Sequence, residues 1–487
     1  MTAVPPGYNT EVPASIMTPD RVDTRIGALE FFDGIPTPET SRTVYDHLDF
    51  ARAVEAFLNF IPAASVEGLR RGLASIGVDA CHRLMLMDRL MDSTPLFLTG
   101  NTDTVYCGGM LDLGTDGPTV IEVPPGCGPG TVDDAFFRFV VDLGAPGPDR
   151  GQGGKYLVVP DDFDGDLPDG YFVARSPSST NVVILRGFLV DGKPDAAAEM
   201  FRSGLRIYPL HAADDPPAME FISTSEMPFN TVHANDASFY DEVADVLARE
   251  PVDFLDPELR GLAASIGIRK DQPFEPDDRM AAILAEGAAV GNATARAIVF
   301  DTRDRASFIY DDRRWQTVFP GGDYQWLLDG GVGGRDLDSR VLFFYQATVN
   351  TPAMALEMVG AGSQYAVVTR DRDGQPLDGS GHYTLEIPPD VPAADFWSVV
   401  VYDPQTRSEL QTGQPFPSKN DARDDLVREP DGSVVLHFSP TPPESGHTDN
   451  WIQTVAGKAW YPILRLYGPL QSWFDKSWRP GDIEPAS

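Results

Sequence analysis

The run Tyr461-Pro-Ile-Leu-Arg-Leu-Tyr467 places the tightest limit on how this chain can fold. Its apolar residues surround one charge, Arg465, and the run alternates as a β-strand does. A guanidinium in such company needs a carboxylate or carbonyl partner, because an unpaired buried charge is costly. The run lies inside Asn450–Ile483, which also holds Trp451, Trp460, Trp473 and Trp478, four of the 7 tryptophans. The expectation is a core strand with an anchored arginine, followed by an aromatic tail across the edge of a sheet.

Upstream, the pattern predicts two β-rich blocks. Residues 1–44 read as an irregular arm. Helical spacing begins near Tyr45, with Pro62 expected to end the first helix and a second helix over Val66–Ile76. Strands are then predicted at Thr119–Val123, Phe136–Val141, Tyr156–Val159, Tyr171–Ala174 and Asn181–Leu185, with turn residues between them. Residues 241–305 read as a helical spacer, carrying helical spacing over Tyr240–Arg249, Pro257–Ile266 and Asp278–Val299. A second block is expected from 306 to 487, starting near Phe308, with strands at Val341–Ala347, Tyr383–Ile387, Trp397–Tyr402, Val434–Phe438 and Tyr461–Tyr467. The predicted fold is therefore mainly β with helical insertions: two β-sandwich or jelly-roll-like domains, 45–240 and 306–487, joined by the helical segment.

Charge and cysteines narrow the setting. With 73 acidic and 38 basic residues, a net charge of -35, the chain is a poor match for nucleic acid or an anionic membrane. Cys81, Cys107 and Cys127 cannot make a disulfide framework and have no metal-type spacing. Buried thiols, and with no basic-then-apolar leader visible a cytoplasmic location, are the expectation.

No standard catalytic motif is present, and nothing names a cofactor. Gly151-Gln-Gly-Gly-Lys-Tyr156 has a strand where a phosphate loop needs a helix, and reads as a turn. The seven histidines, at 47, 82, 211, 233, 382, 437 and 447, are scattered, so no metal site is predicted. His233 stands close before Asp236, which reads as a helix cap. The richest polar stretch is Asn101-Thr-Asp-Thr-Val-Tyr106. It presents an amide, two hydroxyls, a carboxylate and a phenol between two apolar strands. It reads either as a turn that fixes the connection or as part of a site. Arg138, Arg206 and Arg465 each need an acidic partner, and Asp103 is a candidate. Asn350 and Thr351 form a similar polar knot.

These stretches coincide with a known family. Asn101–Tyr106, Gly147–Tyr156, Gly170–Val173 and Leu205–Leu210, then Phe396–Asp403, Gln414–Ser418 and Asn450–Ile483, resemble bacterial proteins that join two domains of unknown function, numbered 1254 and 1214. The resemblance implies β-rich sandwich or jelly-roll domains with helical insertions. It implies no reaction and no catalytic residue, and many such relatives look exported.

The leading expectation is a hydrolase-like enzyme acting on a small or oligomeric organic substrate in an aromatic-lined cleft. Its catalytic candidates are Asp103, Tyr106 and Arg138. Its substrate-binding candidates are Asn101, Thr104, Arg206, Tyr208, Tyr345, Asn350, Trp397 and Trp451. A non-catalytic binding or homo-oligomeric assembly module is the second reading, and a metal-dependent oxidoreductase with converging His and carboxylate ligands the third.

Overall fold

The computed structural model describes residues 9–10, 12–444 and 448–486; His447 lies outside them. Each β-rich block is a pair of stacked sheets. In the first, a six-stranded sheet runs in the order Glu220–Ser223, Arg83–Leu86, Val105–Asp112, Thr180–Gly187, Gly130–Asp134, Phe139–Leu143. It packs on a four-stranded sheet of Phe172–Ser176, Gly154–Pro160, Thr119–Val123 and Arg206–Pro209. Alternation decides the core: Val105, Cys107 and Leu111 point inward to meet Ile121, Val123 and Val158. In the second block, Ser363–Val367, Tyr461–Pro469, Ala393–Tyr402 and Ser418–Asn420 form one sheet. It packs on Trp451–Gln453, Val434–Ser439, Tyr383–Ile387 and Ile483–Pro485. Three edge pairs are parallel, so three of these four sheets are mixed, while the one holding Tyr461–Pro469 is antiparallel throughout.

The remaining faces of the two blocks turn toward each other. Tyr106, Val182 and Ile184 from the six-stranded sheet share one continuous core with Val400, Tyr402 and Ile463 from the second block. Helices Pro38–Ser75, Ser238–Arg249, Asp278–Phe300 and Leu337–Phe344 complete that core. Tyr461–Pro469 is therefore buried on both faces, which explains why its sequence shows no polar side.

Several elements differ from the sequence reading. The helix does not stop at Pro62: it runs unbroken over Pro38–Ser75, with Thr37 accepting from the Thr40 amide at its start and Gly77 at φ 89° after its end. Pro62 is fully inside the core, so packing outweighs the lost hydrogen bond. The supposedly irregular arm holds a three-stranded sheet, Arg21–Thr24, Gly27–Phe32 and Ile35–Pro36. Val341–Ala347 is not a strand but lies in and just after the helix Leu337–Phe344, capped by Asp336. Short apolar runs carry no period long enough to separate the two. The first full strand of the second block is Ser363–Val367.

Among the described residues one helix, Asp278–Phe300, is long and apolar enough to cross a membrane by length and composition alone. It packs along Pro38–Ser75: Gly287 and Gly291 sit against Ala53 and Phe57, where a Cβ would come within 2.5 to 2.7 Å.

Cys81, Cys107 and Cys127 are free and buried. Burial pushes the Cys81 and Cys127 thiols up to about 12 and Cys107 well above its ordinary value. Native protein should therefore be inert to a thiol reagent, and three thiols should react in denaturant without reductant. One thiol in denaturant would mean that a disulfide exists.

Candidate functional site

A cavity of about 360 Å³ lies between the two sandwiches. One wall is the outer face of the six-stranded sheet, with Tyr106, Ile184, Arg186, Thr131 and Asp142. The facing wall is the second sandwich, with Tyr365, Val367, Ile463 and Arg465. Phe97, Phe343 and Met354 close the sides, and the exposed Phe188 and Met358 stand at the mouth.

Strand register places the polar groups. Arg186 pairs with Tyr106 across one ladder. Two residues along the same strand, Ile184 pairs with Thr131, and Thr131 pairs with Asp142. The step of two residues along and two strands across sets the Arg186 and Asp142 backbones roughly 12 Å apart. The cavity thus has a cationic end and an acidic end on one sheet face. On the facing sheet, Tyr365, Arg465, Ser398 and Asn420 fall in one row across four strands, the first two of them on the cavity wall.

The Asn101–Tyr106 stretch is a turn, but Asn101 rather than Asp103 caps it. Asn101 Oδ1 accepts from the Asp103 amide (3.0 Å), the Thr104 amide (3.2 Å) and the Thr104 hydroxyl (3.2 Å). These bonds orient the side chain, so Asn101 Nδ2 donates to the Tyr106 hydroxyl at 2.5 Å. The Tyr106 oxygen is thereby an acceptor, and its own hydrogen stays available to the cavity. Burial pushes this phenol up to about 12, while Arg186 and Arg465 pull the other way.

Asp103 is fully buried and does not line the cavity. It crosses to the second sandwich, where Oδ2 accepts from Ser398 Oγ at 2.5 Å and Tyr467 OH at 3.0 Å. Asn420 Nδ2 donates to Oδ1 at 3.0 Å. With both oxygens engaged by the second sandwich, Asp103 acts as a joint between the blocks. Arg465 follows the same pattern: its Nη2 donates to the Thr99 and Gly100 carbonyls, at 2.9 and 3.4 Å. Its Nη1 is buried without a partner.

Two β-branched residues on the cavity wall hold left-handed backbone, Thr99 at φ 40° and Val349 at φ 51°. Such positions cost on the order of 1–3 kcal/mol and persist where the surroundings over-determine them. Thr99 meets that condition, since its amide donates to Arg407 O and its carbonyl accepts from Arg465.

Asp142 is the cavity's chemically distinct group. Its Oδ1 is buried and has no hydrogen-bond partner. Burial raises the carboxyl from near 3.8 to about 6, and the Thr351 side chain beside it limits the rise. Asp133, on the neighbouring strand, accepts from the Asn350 amide and Thr131 hydroxyl, and burial raises it well above the usual carboxylate range.

Among the sequence candidates, Asn101 and Tyr106 line this cavity, and Thr104 supports it from behind. The others lie elsewhere. Arg138 pairs with Asp134 at 2.5 Å and with the Phe254 carbonyl. Arg206 is exposed, so its charge needs no partner. Tyr208 donates to Glu122, and Tyr345 is stacked under Arg407 and bonded to Asn292. Asn350 holds the Tyr324 carbonyl. Trp397 fills the second sandwich core, and Trp451 donates to the Ser439 carbonyl. No ion pair joins Asp103 to an arginine among the described residues. His233 is buried beside Arg407 and held neutral, its value lowered to about 3 by burial and then by that cation. Asp236 accepts from the Ser238 amide, but it stands one residue before the cap expected of it: the N-cap position of Ser238–Arg249 is Ala237. No group of three or more His, Cys, Asp or Glu able to hold a metal is found among the described residues.

The sequence reading missed Arg186 and Asp142 as site residues, and had Arg465 only as an anchored arginine. Each is a lone charge that follows two apolar residues within a strand, Ile-Leu-Arg186, Val-Val-Asp142 and Ile-Leu-Arg465. That shared signature was the available signal.

Residues 82–209 match the family model described as a protein of unknown function, DUF1254, and residues 362–471 the one described as a protein of unknown function, DUF1214. The chain joins these two domains. Both walls of the cavity fall within the matched stretches: Tyr106, Asp142 and Arg186 in the first, Tyr365 and Arg465 in the second. The VPA0106 protein from Vibrio parahaemolyticus has a similar crystal structure, with 17% identity and a TM-score of 0.53 over 90% of this chain and 100% of that one. At that identity the likeness shows a shared fold. An uncharacterized protein from Burkholderia cenocepacia matches at 13% identity and a TM-score of 0.37, covering 92% of this chain and 96% of that one. No curated protein matches the chain.

Proposed function

We propose that the chain is a hydrolase-like enzyme that works on a small, largely apolar organic molecule in the cavity between its two sandwiches. One observation carries this reading. Asp142 presents a buried, unpartnered carboxylate oxygen on the wall of an apolar cavity, with its affinity for protons raised to about 6. A base of that strength is ionised at neutral pH and still accepts a proton usefully. In the proposed step, a water oxygen attacks the substrate carbonyl carbon while Asp142 takes the water's proton. Asp142 returns that proton to the leaving alcohol or amine as the acyl bond breaks. Tyr106 and Arg186 hold the far end of the substrate. We place the enzyme in the cytoplasm, a setting in which three buried thiols stay reduced.

The test is a panel of aryl esters and amides assayed from pH 4 to 9. The expected result is turnover whose kcat/KM rises with pH through about 6, as Asp142 loses its proton. No turnover across the panel, or a profile flat between pH 5 and 7, would remove the proposal.

A further inference from the structure

We infer that the Arg186–Arg465 end of the cavity is a carboxylate site, and that its ligand is an amphipathic organic monoacid. The inference rests on the cavity being the functional site and does not depend on Asp142 being the base. Arg186 has no carboxylate within ion-pair distance among the described residues; its neighbours are the phenols of Tyr365, Tyr106 and Tyr467. Arg465 is only 3% exposed, lines the same cavity, and keeps one buried nitrogen, Nη1, without any partner. The nearby Asp103 has both oxygens held by three neutral donors. A chain with nearly twice as many acids as bases has left two guanidiniums facing one cavity without an acid between them.

The donors match a carboxylate. Guanidiniums present planar N–H pairs, and the Tyr106 hydroxyl adds a third donor, because Asn101 already occupies its oxygen as acceptor. A monoanion fits better than a phosphate dianion. One of the two cations is already engaged with backbone carbonyls, and the exposed Asp395 lies at the cavity's edge. The rest of the cavity is apolar, with Phe97, Ile184, Phe343, Met354 and Ile463 along its length. Its volume of about 360 Å³ corresponds to roughly a dozen waters. That space suits an aryl or medium-chain acid whose apolar body runs toward Asp142.

The test uses calorimetric titration of the full chain with 4-phenylbutanoate, its neutral analogue 4-phenylbutanamide, and inorganic phosphate. Wild-type protein should bind the acid about 10- to 100-fold more tightly than the amide. Arg186→Met should remove that preference and leave amide binding nearly unchanged, while Arg186→Lys restores part of it. The acid-over-amide preference is read from binding heats alone, so it stands or falls whether or not any ester or amide is turned over, which separates this claim from the hydrolytic one. Equal affinity for acid and amide would overturn the inference. So would an unchanged preference in a folded Arg186→Met protein, binding of phosphate as tight as the acid, or no binding of the acid at all.

Discussion

Asp103→Asn should weaken the joint between the two sandwiches by about 3–5 kcal/mol. Asp103 has two acceptor oxygens facing three donors, Ser398, Tyr467 and Asn420, in a fully buried setting. Asparagine keeps the shape but turns one oxygen into an NH2 group. Whichever way the amide points, a donor then meets a donor. The substitution also removes a carboxylate that acts on Arg465, whose Nη1 already lacks a partner. The loss should appear as a lower urea midpoint. It should be non-additive with Ser398→Ala, because both substitutions break the same bond. An unchanged midpoint would mean that the joint is held by the surrounding apolar core alone.

Asp142→Asn has the opposite signature. Turnover should fall by about 10²- to 10⁴-fold, the contribution of a positioned general base. Stability at neutral pH should hold or rise. The folded state raises this carboxyl from near 3.8 to about 6, so it binds the proton more tightly than the unfolded chain does. Its contribution to stability is fully present below about pH 4 and is lost as pH rises to about 6. At pH 7 the wild-type protein therefore carries an ionised, poorly solvated carboxylate that asparagine removes. Such a trade between stability and activity is expected of a functional group and not of a structural one. A thermal melt and a rate on the same sample check both halves. A variant that is inactive and markedly less stable would place Asp142 in the framework instead.

Much of the architecture is legible along the chain because strands of this kind announce themselves locally. Thr119–Val123, Tyr383–Ile387, Val434–Phe438 and Tyr461–Tyr467 are each short apolar runs between turn residues, and each is a strand. Arg465 is recognisable as an anchored arginine, and its partners are carbonyls of the Thr99–Gly100 loop. Where local signals compete, the reading fails. Pro62 is a helix breaker in isolation, yet it is buried in a helix that packs against Asp278–Phe300. Leu337–Phe344 is short and apolar, and only its Asp336 cap marks it as a helix.

The site is harder to read, because its walls come from residues that meet only when two sandwiches face each other. Asn101–Tyr106 stands out by its polarity, but polarity does not say which side chain faces the cavity. Asn101 and Tyr106 do, while Asp103 turns to the other block. Arg138 does have its acid, only four residues away at Asp134. Arg186 and Asp142 are distant in sequence and come to opposite ends of one cavity wall through the register of three adjoining strands. No local pattern reports such a register.

The most direct test of the interdomain site is a crystal structure of the protein soaked with 4-phenylbutanoate. The carboxylate should lie against Arg186 and the Tyr106 hydroxyl, with the ring between Ile184 and Met354 and pointing toward Asp142. An empty cavity at saturating ligand, or the acid bound elsewhere, would contradict the account.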